Sequence, residues 1–158
     1  MCQFKSGIVF RTGEVFTSPF TDSHEDLIVL RGLKDNEAGY AQRWVRVEYV
    51  PDVKLEKWTL RVDEKDSPSW FDTDMRIRVT EWFEKLIDGM TISTGTRKLV
   101  VGEQIILRGN AVIEKAGNGA HIVVMYGSSN VGMMYGSSNV GVMYDSSNVL
   151  DDKREIKK

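Results

Sequence analysis

The second residue of the chain, Cys2, is its only cysteine and the residue best suited to covalent chemistry. Because cysteine is small, we expect the initiating Met1 to be removed, which would leave a free α-amine beside the thiol. Enzymes with an amino-terminal nucleophile use such a pair, in which the amine acts as the base. The pattern around Cys2 favours a structural role instead, since Cys2, Phe4 and Ile8 share the inward face of a predicted strand whose other, polar face carries Lys5.

Three polar residues further along, His24, Glu25 and Asp26, could complete a catalytic set with Cys2. If the first strand lies beside the first helix, His24 could activate the thiol and Asp26 could orient the imidazole. The same residues also fit the start of a helix, because Ser23 followed three residues later by Asp26 approximates a capping box. The pattern favours capping, and the catalytic set of Cys2, His24 and Asp26 is the alternative.

The sequence offers little that could hold a metal ion or another cofactor. Its two histidines, His24 and His121, lie far apart and have no partners at ligand spacing. Glycine-rich phosphate loops are absent, because the repeat glycines do not lie between a strand and a helix. The remaining acidic residues lie at predicted strand ends and in a loop, where exposure to solvent explains them without a catalytic role. They are Glu48, Asp63, Glu64 and Asp66. We therefore predict no cofactor and no metal.

The last third of the chain repeats a nine-residue unit almost three times. From Val123 the units read VVMYGSSN, VGMMYGSSN and VGVMYDSSNV. Each joins an apolar, β-prone segment to a Gly-Ser-Ser-Asn or Asp-Ser-Ser-Asn cluster that turns the chain and would interrupt a helix. One unit therefore predicts one strand and one turn, and the repetition predicts a β-solenoid or β-roll.

Such repeats present the same side chains at regular intervals, about 4.8 Å apart along a stack of strands. We expect ladders of tyrosine and asparagine. The candidate binding residues are Tyr126, Tyr135, Tyr144, Asn130, Asn139 and Asn148. Calcium-binding nonapeptide rolls use two units per turn and bind the metal through a G-G-x-G-x-D motif. Only Asp145 could supply such a ligand, since the equivalent positions are Gly127 and Gly136, so we predict no obligate calcium.

The pattern of helices and strands in the sequence predicts an α+β protein that consists of a small front domain followed by a solenoid. Residues 1–96 form the front domain in the order ββαββα. Its clearest elements are a helix from about His24 to Arg31, a strand pair over Trp44–Val50 and Lys57–Val62, and a helix over Asp74–Asp88 that Thr73 caps and Gly89 ends. Residues 97–150 form the solenoid. Residues 151–158 form a charged tail, which discourages another chain from adding to the sheet.

Composition narrows the class of protein further. With a formal net charge of −2, the chain has no overall basic field that would attract nucleic acid or a membrane. A single cysteine allows no internal disulfide and suits a reducing cytoplasm. The amino terminus has charge and glycine within its apolar run and does not fit a signal peptide, and no stretch reaches the ~18 apolar residues of a membrane helix.

Several short motifs occur together in the front part of the chain. They are Met1-Cys2-x-Phe4-x-Ser6-Gly7-Ile8-Val9, Asp22-Ser23-His24-Glu25-Asp26-Leu27, Val45-Arg46-Val47-Glu48, Trp58-x-x-x-Val62-Asp63 and Pro68-x-Trp70. In these motifs residues 1–90 resemble a group of uncharacterised proteins from bacteriophages and bacterial mobile elements, which often carry variable tails of short repeats. The resemblance implies a phage or prophage origin and the cytoplasm of a bacterial host. It implies no activity, cofactor or catalytic residue.

Two hypotheses about function follow from the sequence. The first is a cytoplasmic, phage-associated accessory protein whose solenoid binds a protein partner or mediates self-association. The second is an enzyme or covalent capture protein with Cys2 as its nucleophile. Class II glutamine amidotransferases and proteins that crosslink abasic DNA also begin with Met-Cys, but they continue with glycine where this chain has Gln3.

Overall fold

The structure, a computed structural model, describes residues 4–34, 43–52, 57–63 and 67–154. The chain divides into two compact units, Met1–Leu86 and Ile87–Lys158. The first unit combines strands with helices, and the second winds its strands into a β-solenoid. This confirms the predicted α+β class and the predicted carboxyl-terminal solenoid.

The first unit is built on a four-stranded antiparallel sheet. Its strands are β1 (Lys5–Phe10), β2 (Val15–Phe16), β3 (Trp44–Pro51) and β4 (Trp58–Val62), in the order β2-β1-β3-β4. The turn between β1 and β2 contains Gly13 with a φ of 88°, a left-handed conformation that glycine adopts without steric penalty. Strand β4 pairs with β3, as the two alternating segments predicted.

Helix α1 (His24–Leu30) lies between β2 and β3 in the chain. It starts where the sequence predicted, because the side chain of Ser23 accepts a hydrogen bond from the backbone N–H of Asp26. An N-cap of this kind satisfies one of the free donors of the first turn. The prediction of a capping role for this segment is confirmed.

Helix α2 (Thr73–Met90) follows β4. Two details differ from the sequence-based expectation. Asp72, not Thr73, caps the helix, because its Oδ1 accepts a hydrogen bond from the backbone N–H of Met75 at 2.9 Å. The helix also continues through Gly89 to Met90, since one glycine in a last turn costs too little to end a helix.

The two faces of the sheet in the first unit pack against different helices. One face contributes Ile8 and Trp44 to a buried cluster with Leu27 and other residues of α1. On the other face Tyr49 stacks on Phe83 of α2, with ring centroids 5.3 Å apart. Both faces of the sheet therefore contain buried side chains.

The second unit contains eight strands that alternate between two parallel sheets. They are β5 (Thr91–Ile92), β6 (Thr96–Val100), β7 (Gln104–Leu107), β8 (Val112–Ala116), β9 (His121–Met125), β10 (Asn130–Tyr135), β11 (Asn139–Met143) and β12 (Asn148–Lys153). The sheet orders are β11-β9-β7-β5 and β12-β10-β8-β6, so the chain makes about four turns. Asp151–Lys153, predicted as part of a tail, lie in β12, and residues 155–158 lie outside the described part of the chain.

One coil takes two nine-residue units in the part of the solenoid with exact repeats. Asn130 pairs with Asn148, eighteen residues later. The first coil is shorter, since Thr91 pairs with Ile106, fifteen residues later. The coil length thus becomes regular along the chain and reaches eighteen residues where Val112 pairs with Asn130.

The interior of the solenoid is apolar and is filled by equivalent positions of successive coils. Ile113 pairs with Val131, and Val131 with Val149, so these side chains form one interior column. A small residue occupies one buried turn position in four successive units. These residues are Ala111, Ala120, Ser129 and Ser138. The core therefore needs neither the tyrosines nor the asparagines of the repeat.

Candidate functional site

The three repeat tyrosines do not form the single ladder that the nine-residue period suggested. Tyr126 follows β9 and Tyr144 follows β11, whereas Tyr135 ends β10 in the other sheet. Because a coil takes eighteen residues, successive units lie on opposite sides of the solenoid. The prediction of one tyrosine row is therefore replaced by two separate edges.

We call the first of these the Tyr126 edge, formed by Arg108, Tyr126 and Tyr144. The backbone N–H of Tyr126 donates to the carbonyl of Leu107, and that of Tyr144 donates to the carbonyl of Met125. These bonds stack the two tyrosines one coil apart. The guanidinium carbon of Arg108 lies 4.8 Å from the centroid of the Tyr126 ring, which is a cation–π distance. Both tyrosines are half-buried.

The Tyr135 edge lies on the opposite side and consists of Gly117, Tyr135 and Lys153. Tyr135 pairs in register with Lys153 of β12. Its ring lies against Gly117, since a Cβ built on Gly117 would be 2.7 Å from the Tyr135 hydroxyl oxygen. The Tyr135 ring thus uses the space that a side chain at position 117 would need, and this gives Tyr135 a packing role.

The asparagines also divide between the two sheets. Asn130 lies beside Asn148, whereas Asn139 lies beside His121. The side-chain amide of Asn130 donates to the carbonyl of Ser128 at 2.8 Å. Asn130 is half-buried, and the other two asparagines are exposed. The predicted amide ladder therefore has two members in one sheet and one in the other.

Sequence analysis did not identify a polar column formed by Gln104, His121 and Asn139. Gln104 pairs with His121, and His121 pairs with Asn139. The Gln104 Nε2 and His121 Nδ1 atoms are 3.4 Å apart. In the sequence these three residues are separated by about two repeat units each. That spacing indicates a shared column only when the length of one coil is already known.

Asp145 has a structural partner in the turn of the preceding coil. Its φ is 55°, the only positive φ of a non-glycine residue in the described part of the chain. The Oδ2 atom accepts a hydrogen bond from the backbone N–H of Gly127 at 3.2 Å. Within the described ranges no three His, Cys, Asp or Glu side chains group as metal ligands would.

His24 is buried and makes contacts through both ring nitrogens. Its Nε2 is 3.1 Å from the carbonyl oxygen of Val47, and its Nδ1 is 3.2 Å from Asp63 Oδ2. A carbonyl only accepts hydrogen bonds, so Nε2 carries a proton. Asp26 Oδ2 accepts from the Thr21 hydroxyl at 2.8 Å. These are structural contacts of the first unit.

Cys2, Glu64 and Asp66 lie outside the described residues. The catalytic set of Cys2, His24 and Asp26 therefore stays a prediction. Among the acidic residues that the sequence placed at an exposed rim, Asp63 contacts His24, and its side chain remains 57% exposed.

Lys5 is a buried charged residue that sequence analysis placed on the polar face of β1. The residue is 2% exposed, and its Nζ donates to Asp22 Oδ1 at 2.9 Å and to the Ser18 carbonyl. Burial lowers the pKa of the Lys5 amine below its ordinary value of 10.5, and the Asp22 carboxylate opposes that effect. Alternation alone could not identify this burial, because α2 packs on the same face of the sheet: Tyr49, which pairs with Lys5, stacks on Phe83 of α2.

The chain matches no family model, no curated protein and no solved structure. Over the described ranges, neither helix combines the length and apolar character that crossing a membrane requires.

Proposed function

We propose that the protein is an accessory binding or assembly protein that uses the side of its solenoid to contact a partner protein. The observation that carries this proposal is the Tyr126 edge. There two half-buried tyrosines and an arginine are stacked on a regular backbone, while the core is filled by other positions of the repeat. Tyrosine and arginine, together with tryptophan, are enriched at the energetic centres of protein interfaces.

The scaffold beneath this edge supports such a role. Backbone hydrogen bonds tie each turn to the one before it, for example from Ser128 N to Gly109 O and from Ser146 N to Gly127 O. A turn held in this way keeps its side chains in place before binding, so less conformational entropy is lost when a partner docks. Ser128 and Ser146 are exposed beside the tyrosines and offer hydroxyl groups to the same partner.

The resemblance to phage and mobile-element proteins gives this proposal its setting. In that setting the protein would act in the cytoplasm of a bacterial host and contact a host or phage protein. Nucleic acid is a poorer fit, because the Tyr126 edge contains one cation, Arg108, and a carboxylate, Asp145, directly follows Tyr144. Proteins that follow a nucleic-acid backbone need several cations in a row.

Binding by the Tyr126 edge can be tested with two matched changes. The double variant Tyr126→Ala, Tyr144→Ala removes the aromatic rings of this edge, and Tyr135→Ala removes the ring of the opposite edge. Tagged full-length protein would be mixed with bacterial lysate, crosslinked and analysed by mass spectrometry. We expect one partner to be lost, by more than about tenfold, from the double variant only, since truncation of a central interface residue costs about 2 kcal/mol.

The controls decide between binding and stability. Thermal unfolding of all three proteins must show that they are folded at the temperature of the experiment. A partner recovered equally by the wild type and by the double variant would contradict the proposal. A partner lost only from Tyr135→Ala would assign binding to the other edge and would also contradict it.

A further inference from the structure

The Tyr126 edge has a positive charge at one end and a negative charge beside its other end. Strands β7, β9 and β11 end at equivalent positions of successive coils, and the residues that follow them form one column. In order along the stack, these residues are Arg108, Tyr126 and Tyr144. Asp145 follows Tyr144 and adds a carboxylate at the same level. The turn segments at these three levels, RGN, YGS and YDS, contain no other charged residue.

Contacts within the solenoid hold both of these charges in place. The Arg108 guanidinium lies over the Tyr126 ring, 4.8 Å from its centroid. Asp145 is exposed, and its Oδ2 atom accepts the hydrogen bond from the backbone N–H of Gly127 at 3.2 Å. A surface whose charges are fixed before contact loses less conformational entropy when it associates.

We propose that a second copy of this protein docks on the Tyr126 edge, in antiparallel orientation about a two-fold axis that passes near Tyr126. In this arrangement Arg108 of each copy faces Asp145 of the other. The two Tyr126 rings meet at the axis and form an aromatic pair. The inference rests on the proposed function, because it names an occupant of the same edge. A second copy and any other partner would compete for that edge.

The order of the charges selects the antiparallel arrangement. In a parallel arrangement Arg108 would face Arg108 and Asp145 would face Asp145, and like charges placed opposite one another across an interface are unfavourable. In the antiparallel arrangement every charge faces its opposite, so the edge is complementary to itself. A contact that uses the same patch on both copies closes into a dimer and does not grow further.

The size of the edge limits the strength of this dimer. Three levels of a β-stack span only about 10 Å, since successive strands lie about 4.8 Å apart. Interfaces of small area belong to weak complexes. We therefore expect a dimer that forms only as the protein concentration rises.

Charge reversal combined with mixing tests this inference on the full-length chain. Light scattering after size exclusion should show that the wild type reaches twice the monomer mass as its concentration rises. Arg108→Glu brings a carboxylate against Asp145, and Asp145→Lys brings an ammonium group against Arg108. Each variant alone should therefore dimerise at least about tenfold more weakly than the wild type. An equimolar mixture of the two variants restores both attractive contacts and should regain the dimer.

The matched control is Lys98→Glu, which reverses a charge at an exposed position of β6 and should dimerise like the wild type. Thermal unfolding must show that every variant is folded. Lysine is less favourable than aspartate at the φ of 55° that Asp145 adopts, so Asp145→Asn replaces Asp145→Lys if the latter is unfolded. Its mixture with Arg108→Glu regains one attractive contact and should dimerise more strongly than Arg108→Glu alone.

Three results would overturn the inference. The first is a wild type that stays monomeric up to ~1 mM, a concentration at which even weak complexes form. The second is growth beyond a dimer, and the third is a folded Arg108→Glu variant that dimerises like the wild type. The proposed function fails on a different observation, the recovery of a lysate partner by the variant that lacks both Tyr126 and Tyr144. A monomeric wild type therefore removes the second copy and leaves the proposed function standing.

Discussion

At the scale of single residues, Lys5 is a charged side chain buried within the first unit. Its amine is buried against Asp22, and both side chains are nearly inaccessible, with exposures of 3% and 9%. A buried pair of this kind regains through attraction roughly what its two charges lose on leaving water. Its removal as a pair is therefore tolerated better than the loss of one partner.

Replacing Lys5 with methionine keeps the volume and removes the charge. The Lys5→Met variant leaves Asp22 buried without its cation, so the free energy of unfolding should fall by about 3 kcal/mol. Urea unfolding measures this change. Lys98→Met is the matched control, since Lys98 is exposed and should alter stability by less than about 0.5 kcal/mol. An equal fall in the free energy of unfolding in both variants would contradict the buried ion pair of Lys5 and Asp22.

The lowered pKa of Lys5 also predicts a pH dependence. Between the folded pKa and the ordinary value of 10.5, the unfolded chain binds more protons at this site than the folded chain does. Stability contributed by this group therefore rises with pH in that window. The difference in unfolding free energy between wild type and Lys5→Met should grow as the pH approaches 10.5. A difference that stays constant or shrinks would contradict the assigned burial.

Two glycines within the solenoid strands allow the coils to approach one another. A Cβ on Gly132 would be 2.7 Å from the Glu114 carbonyl oxygen, and one on Gly141 would be 2.5 Å from that of Val123. Gly132→Ala and Gly141→Ala should each lower stability by about 1–3 kcal/mol, because the backbone must shift to relieve the overlap.

The control for this prediction is Gly89→Ala in α2. A Cβ at Gly89 meets no atom within 4 Å, and alanine favours a helix by up to about 1 kcal/mol. Thermal unfolding should therefore show a stability that is unchanged or raised. If Gly132→Ala and Gly141→Ala changed stability as little as Gly89→Ala does, the coils would not approach each other as closely as the structure shows.

At the scale of elements, the start of α2 depends on one side chain. Asp72 accepts the hydrogen bond from Met75 N, and Thr73 is already inside the helix. Asp72→Ala should therefore cost about 1 kcal/mol, and Thr73→Ala should cost much less. Chemical denaturation compares the two variants directly. A larger loss of stability in Thr73→Ala would indicate that Thr73 caps the helix, as the sequence pattern predicted.

At the scale of the whole molecule, the unit of construction is a coil of two repeats. Deleting residues 127–144 removes one coil and joins Tyr126 to Asp145, so every remaining residue keeps its orientation. We expect this variant to retain its β-rich circular dichroism and a cooperative, somewhat weaker unfolding transition. Deleting residues 127–131 instead turns interior side chains outward and should abolish the unfolding transition of the solenoid. If the two deletion variants showed similar circular dichroism and similar unfolding transitions, a coil of eighteen residues would be contradicted.

The solenoid could be predicted from the sequence because its signal is local and repeated. Each unit carries its own strand and turn chemistry, so the pattern of Val131 to Asn139 was sufficient. The number of units per coil is a long-range property, and this is why Tyr135 was grouped with Tyr126 although it lies on the opposite edge. Lys5 was misplaced for a similar reason, since α2, which packs on its face of the sheet, and its partner Asp22 are both distant in sequence.

Backbone proton contacts measured by NMR test the eighteen-residue coil most directly. In the structure Val131 pairs with Val149, and Ile122 pairs with Val140. We predict nuclear Overhauser effects between the backbone protons of each of these pairs, and none between the backbone protons of Val131 and Val140, which lie in different sheets. Backbone contacts between residues nine apart, or the sequential pattern of a helix from Val123 onward, would contradict the solenoid.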